Sequence, residues 1–388
     1  MSTSRGLDRT TFLHLARPDI GEEEIAEVVD TLRSGWLVAG PKVSAFETAL
    51  EQRLAPARVR CLSSATAGLL LGLRLAGVGR GDEVLLPTLT FAACANAVEL
   101  LGATPVFVDS EAATGLVDLD LLERSIGPRT KAVMPVHLGG RPVDLDRLNA
   151  IRDHAGVAVV EDAAHAIGAE WGGAPVGAHG NAVAFSFHAT KNLTTIEGGA
   201  IAVPGLELAE RVERLRLQGL SRSAWSRHGS AAPADYELDE PGFKLSMTDV
   251  SAALGIHQLA RLDGIIERRE QLAQRYDAAL EELPLELEPP PAEGMRHARH
   301  LYAVRLSPEA GVDRHAVIDR LAEQQIGTSI HFKPIHRFRY YRETRGLADQ
   351  DFPAASSYAD RTLSLPFHQG MDEEDVDDVA AALAGALA

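Results

Sequence analysis

Short continuous apolar runs alternate along this chain with longer stretches in which apolar residues recur every three or four positions. EVLLP (83–87), TPVFVD (104–109), KAVMPVH (131–137) and VAVVED (157–162) are the runs, and stretches 64–76, 91–101, 118–126 and 144–155 between them carry the helical period. Strands apolar on both faces and separated by helices predict an α/β fold with a mostly parallel sheet covered on both sides. Ahead of them, GEEEIAEVVDTLRSG (21–35) opens on acidic residues and closes on glycine, and PKVSAFETALEQRL (41–54) opens on Pro41, so both predict helices.

Two further strands, AVAFSF (182–187) and GAIAV (199–203), lie too close together for a helical crossover and enclose one lysine, Lys191, in FSFHATKNLTTIEGGAIAV. A helix near 206–217, a Gly/Ser/Arg/Pro-rich irregular stretch 219–242, MTDVSAALGIHQLARL and a long charged helix through 282 follow. The proline cluster PLELEPPPAEG (284–294) marks a boundary, beyond which HLYAVRL, a helix near 313–325, GTSIHF and a helix near 372–387 predict an α+β module. At 388 residues the chain exceeds the roughly 250–300 at which one core stops growing. A large domain at 13–260 and a smaller C-terminal one at 261–388 are the expectation.

Composition narrows the setting. With 45% hydrophobic and 24% charged residues the chain reads as an ordinary globular protein, and two cysteines, Cys61 and Cys94, suit a reducing cytoplasm. MSTSRGLDRTTFLHL has no apolar stretch of signal-peptide length, and no window approaches the roughly 18 apolar residues of a membrane span. A formal charge of -17 argues against non-specific nucleic-acid binding, so any anionic ligand needs a local site. HFKPIHRFRYYRETR (331–345), basic and aromatic inside an acidic protein, is one such locality, and equally suits a solvated loop.

The lysine asks for an explanation. Its ammonium is costly to bury, so a lysine between core strands either reaches water or performs chemistry. Asp162 ends a buried-strand pattern, which places it at the carboxyl edge of the sheet, where open α/β folds bind ligands. SSATAG opens the helix at 64–76 with small residues and with the hydroxyls of Ser63, Ser64 and Thr66, a pattern that serves N-capping or phosphate binding. Phe91 opens another helix on the same edge and offers either core packing or a flat face for a planar cofactor. EDAAH, with His137 or His188, admits a metal reading, but no accompanying spacing makes it specific and no metal is expected. Together the parts suit pyridoxal phosphate: a lysine to bind its aldehyde, a carboxylate for its ring nitrogen, an aromatic against the ring and a helix N-terminus for the phosphate.

Over nearly its whole length the chain resembles the nucleotide-sugar aminotransferases of the DegT/StrS type, within the aspartate-aminotransferase-like (fold type I) superfamily. GPKVSAFE, SSATAG, GVGRGDEVLLPTLTF, GATPVFVD, TKAVMPVHLGG, VVEDAAHAIGA, FSFHATKNLTTIEGGA, PGFKLSMTDVSAALGIHQL and LSLPF carry the resemblance in the family's order. FSFHATKNLT, PGFKLSMTD, IGTSIHFKPIH and YYRE place it nearest the UDP-4-amino-4-deoxyarabinose synthase subgroup.

The resemblance implies that Lys191 anchors the cofactor and moves the proton, that Asp162 pairs with the ring nitrogen and that His165 lies beside the ring or its 3'-oxygen. It also implies that Phe91 stacks on the ring and that Ala65, Thr66 and Ser186 contact the phosphate. Lys244 would reach the phosphate of a neighbouring subunit, which implies a homodimer with shared sites. Ser246 and Gln218 depart from residues common in relatives at positions expected to face substrate.

The activity implied is transfer of the amino group of L-glutamate, which leaves as 2-oxoglutarate, to carbon 4 of a nucleotide-linked keto-sugar. A dTDP-4-keto-6-deoxyhexose is the expected acceptor, with a UDP-4-keto-pentose, a 3-keto sugar or a keto-inositol as alternatives. His331, Lys333, His336 and Arg337 would focus positive potential on such anionic substrates. Related sugar dehydratases replace the anchoring lysine by histidine, which Lys191 argues against. A silent regulatory protein on this fold would lack that lysine or add a DNA-binding segment.

Overall fold

The computed structural model describes residues 11–221 and 236–388. The first ten residues of the leader and the middle of the irregular stretch at 219–242 lie outside the described residues. A seven-stranded sheet forms the centre of the larger body. Its strands are β1 (Arg58–Leu62), β2 (Glu83–Pro87), β3 (Thr104–Val108), β4 (Thr130–Val133), β5 (Ala158–Asp162), β8 (Ala182–Ser186) and β9 (Gly199–Val203), in the order β1-β9-β8-β5-β4-β2-β3. A small hairpin, β6 (Glu170–Trp171) with β7 (Ala174–Pro175), lies between β5 and β8 in the chain. Strands β3, β2, β4, β5 and β8 pair in parallel, and only β9 runs against its neighbours.

The continuous apolar runs divide by alternation between two faces. Leu85, Val133, Val159 and Val183 join Phe46, Leu148 and Ile266 in one buried cluster. Val84, Ala132, Val160 and Ala184 join Leu69, Leu73 and Val98 in another. Helices therefore cover both faces: α1 (Glu22–Ser34), α2 (Pro41–Arg53), α3 (Ala65–Leu75), α4 (Ala92–Leu100), α5 (Leu119–Arg124), α6 (Leu145–Ala155) and α7 (Leu206–Leu215). Strand β1 has no counterpart among the predicted runs, because RVRCL alternates arginine with apolar residues as an edge strand does.

Helix α3 lies unusually close to the sheet. A Cβ at Gly68 would stand 2.9 Å from the Ala184 side chain and one at Gly72 only 2.7 Å from Val160, so glycine sets the approach. That contact aims the N-terminus of α3 at the edge of the sheet where β8 ends and β9 begins.

A second core gathers around the antiparallel sheet β10 (Leu285–Glu286), β11 (Tyr302–Leu306) and β12 (Thr362–Leu365) with helices Arg314–Glu323 and Glu373–Leu387. The 19-residue helix Leu262–Leu280 belongs to both bodies: Leu262 and Ile266 pack in the large core, whereas Leu272, Tyr276 and Leu280 pack in the small one. The chain after the proline cluster also returns to the large body. Ile335 and Tyr341 join one of its clusters, and Phe352, Ala355 and Tyr358 the other. Among the described residues no helix is long and apolar enough to cross a membrane.

Helix α2 begins at Gly40, which has no side chain to cap it, and the acceptor comes from 209 residues away. Asp249, fully buried, accepts from the amides of Gly40 (2.8 Å) and Val43 (3.0 Å) through Oδ1 and of Lys42 (3.1 Å) through Oδ2. Replacing it with alanine would strand three amides. Asp249→Ala is expected to cost about 2–4 kcal/mol in urea unfolding, with Asp249→Asn recovering part of the loss.

Candidate active site

A cavity of about 400 Å³ opens at the carboxyl edge of the central sheet, where β5 ends at Asp162 and β8 at Ser186. Lys191, on the β8–β9 connection, lines it together with Ala65 and Thr66 from the first turn of α3, Phe91 from the start of α4, and His165. The predicted residues thus meet in one place although they span 127 positions of sequence, from Ala65 to Lys191 plus the later His331, which lines the same cavity. Ser64 caps α3 by accepting from the Ala67 amide at 3.2 Å. A Cβ at Gly199 would lie 2.4 Å from the Ser64 carbonyl carbon and 2.5 Å from the Ala65 nitrogen, so only glycine lets β9 run beneath the helix start.

Asp162 sits on the cavity floor, 6% exposed, with Oδ1 accepting from the Ala164 amide at 2.9 Å and Oδ2 from the Cys94 thiol at 2.9 Å. Burial, and then the nearby carboxylate, push the Cys94 thiol well above its ordinary value, so it stays a donor. Glu161 points the opposite way, fully buried, to His137 Nε2 (2.9 Å) and the Asn181 amide (2.7 Å). Among the described residues no three His, Cys, Asp or Glu side chains gather as a metal site.

Burial pulls the Lys191 ammonium down to about 8, and the charge of Asp162 works against that fall. The amine therefore reaches its neutral, nucleophilic form near physiological pH. Three histidines face it. Burial followed by the lysine charge holds His165 well below its ordinary value and His331 at about 4, and does the same to His300. Each is neutral at pH 7. The Gly139 amide donates to His165 Nδ1 at 3.2 Å, and the ring packs 4.4 Å from that of His300 and stacks at 5.8 Å on Phe332. His331 Nδ1 meets the Ser364 hydroxyl at 2.8 Å. Phe91 remains 60% exposed, an aromatic face open to the cavity.

Other predicted residues stand elsewhere. His336 is wholly buried, bonded to Thr88 Oγ1 (2.8 Å), Asp349 and Ser356 and stacked on Phe352. Arg337 is clamped between Asp349 and Asp360. Both are taken up by later side chains and do not line the cavity: Asp349 pairs with His336 and Arg337, and Asp360 with Arg337. Lys333 is exposed, with Nζ 5.0 Å over the Phe338 ring. Lys244 is also exposed and lines a second cavity of about 640 Å³ with Ser246, apart from Lys191. Gln218 takes a left-handed backbone with φ 68° beside that cavity's Leu217.

Sequence patterning missed Cys94, His300 and Phe332. Cys94 could have been found one helical turn after Phe91, on the face toward the sheet. His300 follows no periodic signal.

A model of the DegT/DnrJ/EryC1/StrS aminotransferase family matches residues 18–384. The chain belongs to this family. The aminotransferase is 44% identical to the spore coat polysaccharide biosynthesis protein SpsC of Bacillus subtilis, over 97% of each chain. A sugar aminotransferase of Streptococcus pneumoniae, solved in PLP and PMP forms, shares 34% identity at a TM-score of 0.89, over 97% of this chain and 98% of that one. PseC of Helicobacter pylori, an aminotransferase involved in the biosynthesis of pseudoaminic acid, shares 26% at 0.90, over 97% and 99%. The enzyme is thus a PLP-dependent sugar aminotransferase on the fold type I scaffold.

The residues present fit that cofactor. The free amides of α3 and the hydroxyls of Ser64, Thr66 and Ser186 line the cavity and would serve as donors to its phosphate. Asp162 accepts one hydrogen bond at each oxygen and retains lone pairs for a protonated ring nitrogen.

In cofactor-free enzyme, amine-directed labelling of Lys191 followed by peptide mass spectrometry should show a midpoint near pH 8. Asp162→Asn should move that midpoint lower, since it removes the charge that favours the ammonium. Arg337→Gln is expected to cost about 1 kcal/mol of stability while leaving the KM for the sugar substrate within about twofold.

Proposed function

We propose that the enzyme moves the amino group of L-glutamate onto carbon 4 of a nucleotide-linked keto-sugar, with a dTDP-4-keto-6-deoxyhexose as the preferred acceptor. The observation that carries the reading is Lys191, an amine held at about 8 in the same cavity as the Asp162 carboxylate. Bound pyridoxal phosphate supplies an aldehyde to capture amines and a ring that absorbs the electrons left when a proton departs. The protein supplies the rest. Asp162 would accept from the protonated ring nitrogen, and Lys191 Nζ would carry the α-proton of glutamate to the cofactor carbon in the first half-reaction and a proton from that carbon to the sugar carbon in the second. The neutral histidines spare the lysine a competing positive charge.

Support for a sugar-nucleotide acceptor comes from the relatives, whose names place them in polysaccharide and pseudoaminic acid biosynthesis. The likeness to SpsC favours a surface-polysaccharide role over an antibiotic one. A homodimer with shared sites belongs to the same proposal. It is supported by the outward placement of Lys244, and by the apolar side chains left exposed on the protomer at Leu37, Val38, Phe91 and Ile196. A cytoplasmic setting follows from the intracellular origin of activated sugars and glutamate.

The reading is tested by the absorbance spectrum of the enzyme with pyridoxal phosphate, before and after L-glutamate, beside Lys191→Ala. A visible band that requires Lys191 and is bleached by glutamate is expected; its absence from the unaltered enzyme would sink the proposal. Enzyme charged by glutamate should then discharge fastest on dTDP-4-keto-6-deoxyhexose, and a faster discharge on UDP-4-keto-pentose would reassign the acceptor.

A further inference from the structure

Among the described residues Lys191 Nζ has one side-chain neighbour within hydrogen-bond reach, and it is none of the residues already given a role: His300 Nε2, at 3.4 Å. The other face of that imidazole is fixed by the residue next to the lysine. Asn192, 2% exposed, donates from Nδ2 to the Ala298 carbonyl at 2.5 Å, which leaves its Oδ1 facing His300 Nδ1 at 3.4 Å. An amide oxygen only accepts, so Nδ1 of His300 carries the hydrogen and Nε2 presents its lone pair to the lysine.

The loop that carries His300 is braced from three sides. Its backbone amide donates to the Gly139 carbonyl at 2.9 Å, and Ala298 donates to Gly140 at 2.9 Å. Arg269, fully buried in the helix Leu262–Leu280, donates to the carbonyls of Arg299 (3.2 Å), His300 (3.3 Å) and Phe367 (3.1 Å). Arg299 holds a left-handed backbone at φ 52°, a conformation that a non-glycine residue keeps only where its surroundings impose it. Burial first, and then the charges of Lys191 and Arg269, hold the ring well below its ordinary value, so it stays neutral while the lysine titrates.

We propose that His300 is a positioning residue for Lys191: its Nε2 accepts one N–H of the lysine amine and so sets the direction in which the amine's own lone pair enters the cavity, with Asn192 selecting the tautomer. This rests on the reading of Lys191 as the reacting amine. A primary amine turns freely about its last bond, and a single acceptor at a fixed place removes that freedom. The neutral ring accepts without competing for the proton that Lys191 must carry.

Two readouts test it. In cofactor-free enzyme, His300→Phe keeps a ring but removes the acceptor from the ammonium, and should lower the labelling midpoint of Lys191 by about one pH unit. In loaded enzyme the same change should reduce kcat about a hundredfold while the KM for glutamate moves less than about threefold. His300→Gln, which restores an acceptor oxygen, should recover most of both losses. Asn192→Leu should add little in the His300→Phe background, because it acts through the same ring. An unchanged midpoint and kcat in His300→Phe would overturn the proposal. So would a His300→Gln enzyme that folds normally yet is as impaired as His300→Phe, since that marks a packing role. Loss of the glutamate-driven spectral change in the unaltered enzyme would refute the transaminase reading instead, while the labelling midpoint would still report the contact between the two side chains.

Discussion

A partly buried amine held in one cavity with the buried Asp162 carboxylate is the constraint on which the rest of the site depends. Lys191 could lower its free energy by turning outward, and the fold prevents this by seating it on a short connection between two strands that are both buried. Asp162 cannot relax either, because Cys94 and the Ala164 amide hold its two oxygens. The pair is therefore a standing electrostatic asymmetry, with a weakened cation on one side and an anchored anion on the other. A planar ring with a protonated nitrogen for Asp162 and an aldehyde that takes up the Lys191 amine would meet both requirements at once.

Most of the scaffold that maintains this arrangement was legible in the chain. Runs such as VAVVED announce a strand buried on both faces, and their end marks the sheet edge, so Asp162 could be located from pattern alone. The helix start at SSATAG and the lysine between close strands were legible for the same reason: each is a local departure from a strong period. What escaped depends on distant partners. His300 acquires its position from Arg269, Gly139 and Asn192, none of which shares a periodic pattern with it. Strand β12 is four residues long and is recognisable only through its pairing with β11.

The basic segment at 331–345 shows how charge in sequence differs from charge in space. Its first residue reaches the cavity, but His336 and Arg337 turn to Asp349 and Asp360, so the segment contributes far less positive potential than its composition suggests. For a chain at -17, attraction of the anionic substrates proposed above then falls to a few well-placed donors, which act at contact range rather than by long-range steering.

The helix Leu262–Leu280 enters both hydrophobic cores without a break. A loop there would let the two bodies swing like a door. A continuous helix behaves as a beam, and bending it would mean breaking successive backbone hydrogen bonds in a buried setting. Arg269, midway along that beam, grips the loop before β11, so the cavity wall is tied to a helix that both cores share. The place of His300 beside Lys191 is thereby tied to both cores and not to the rim of the cavity.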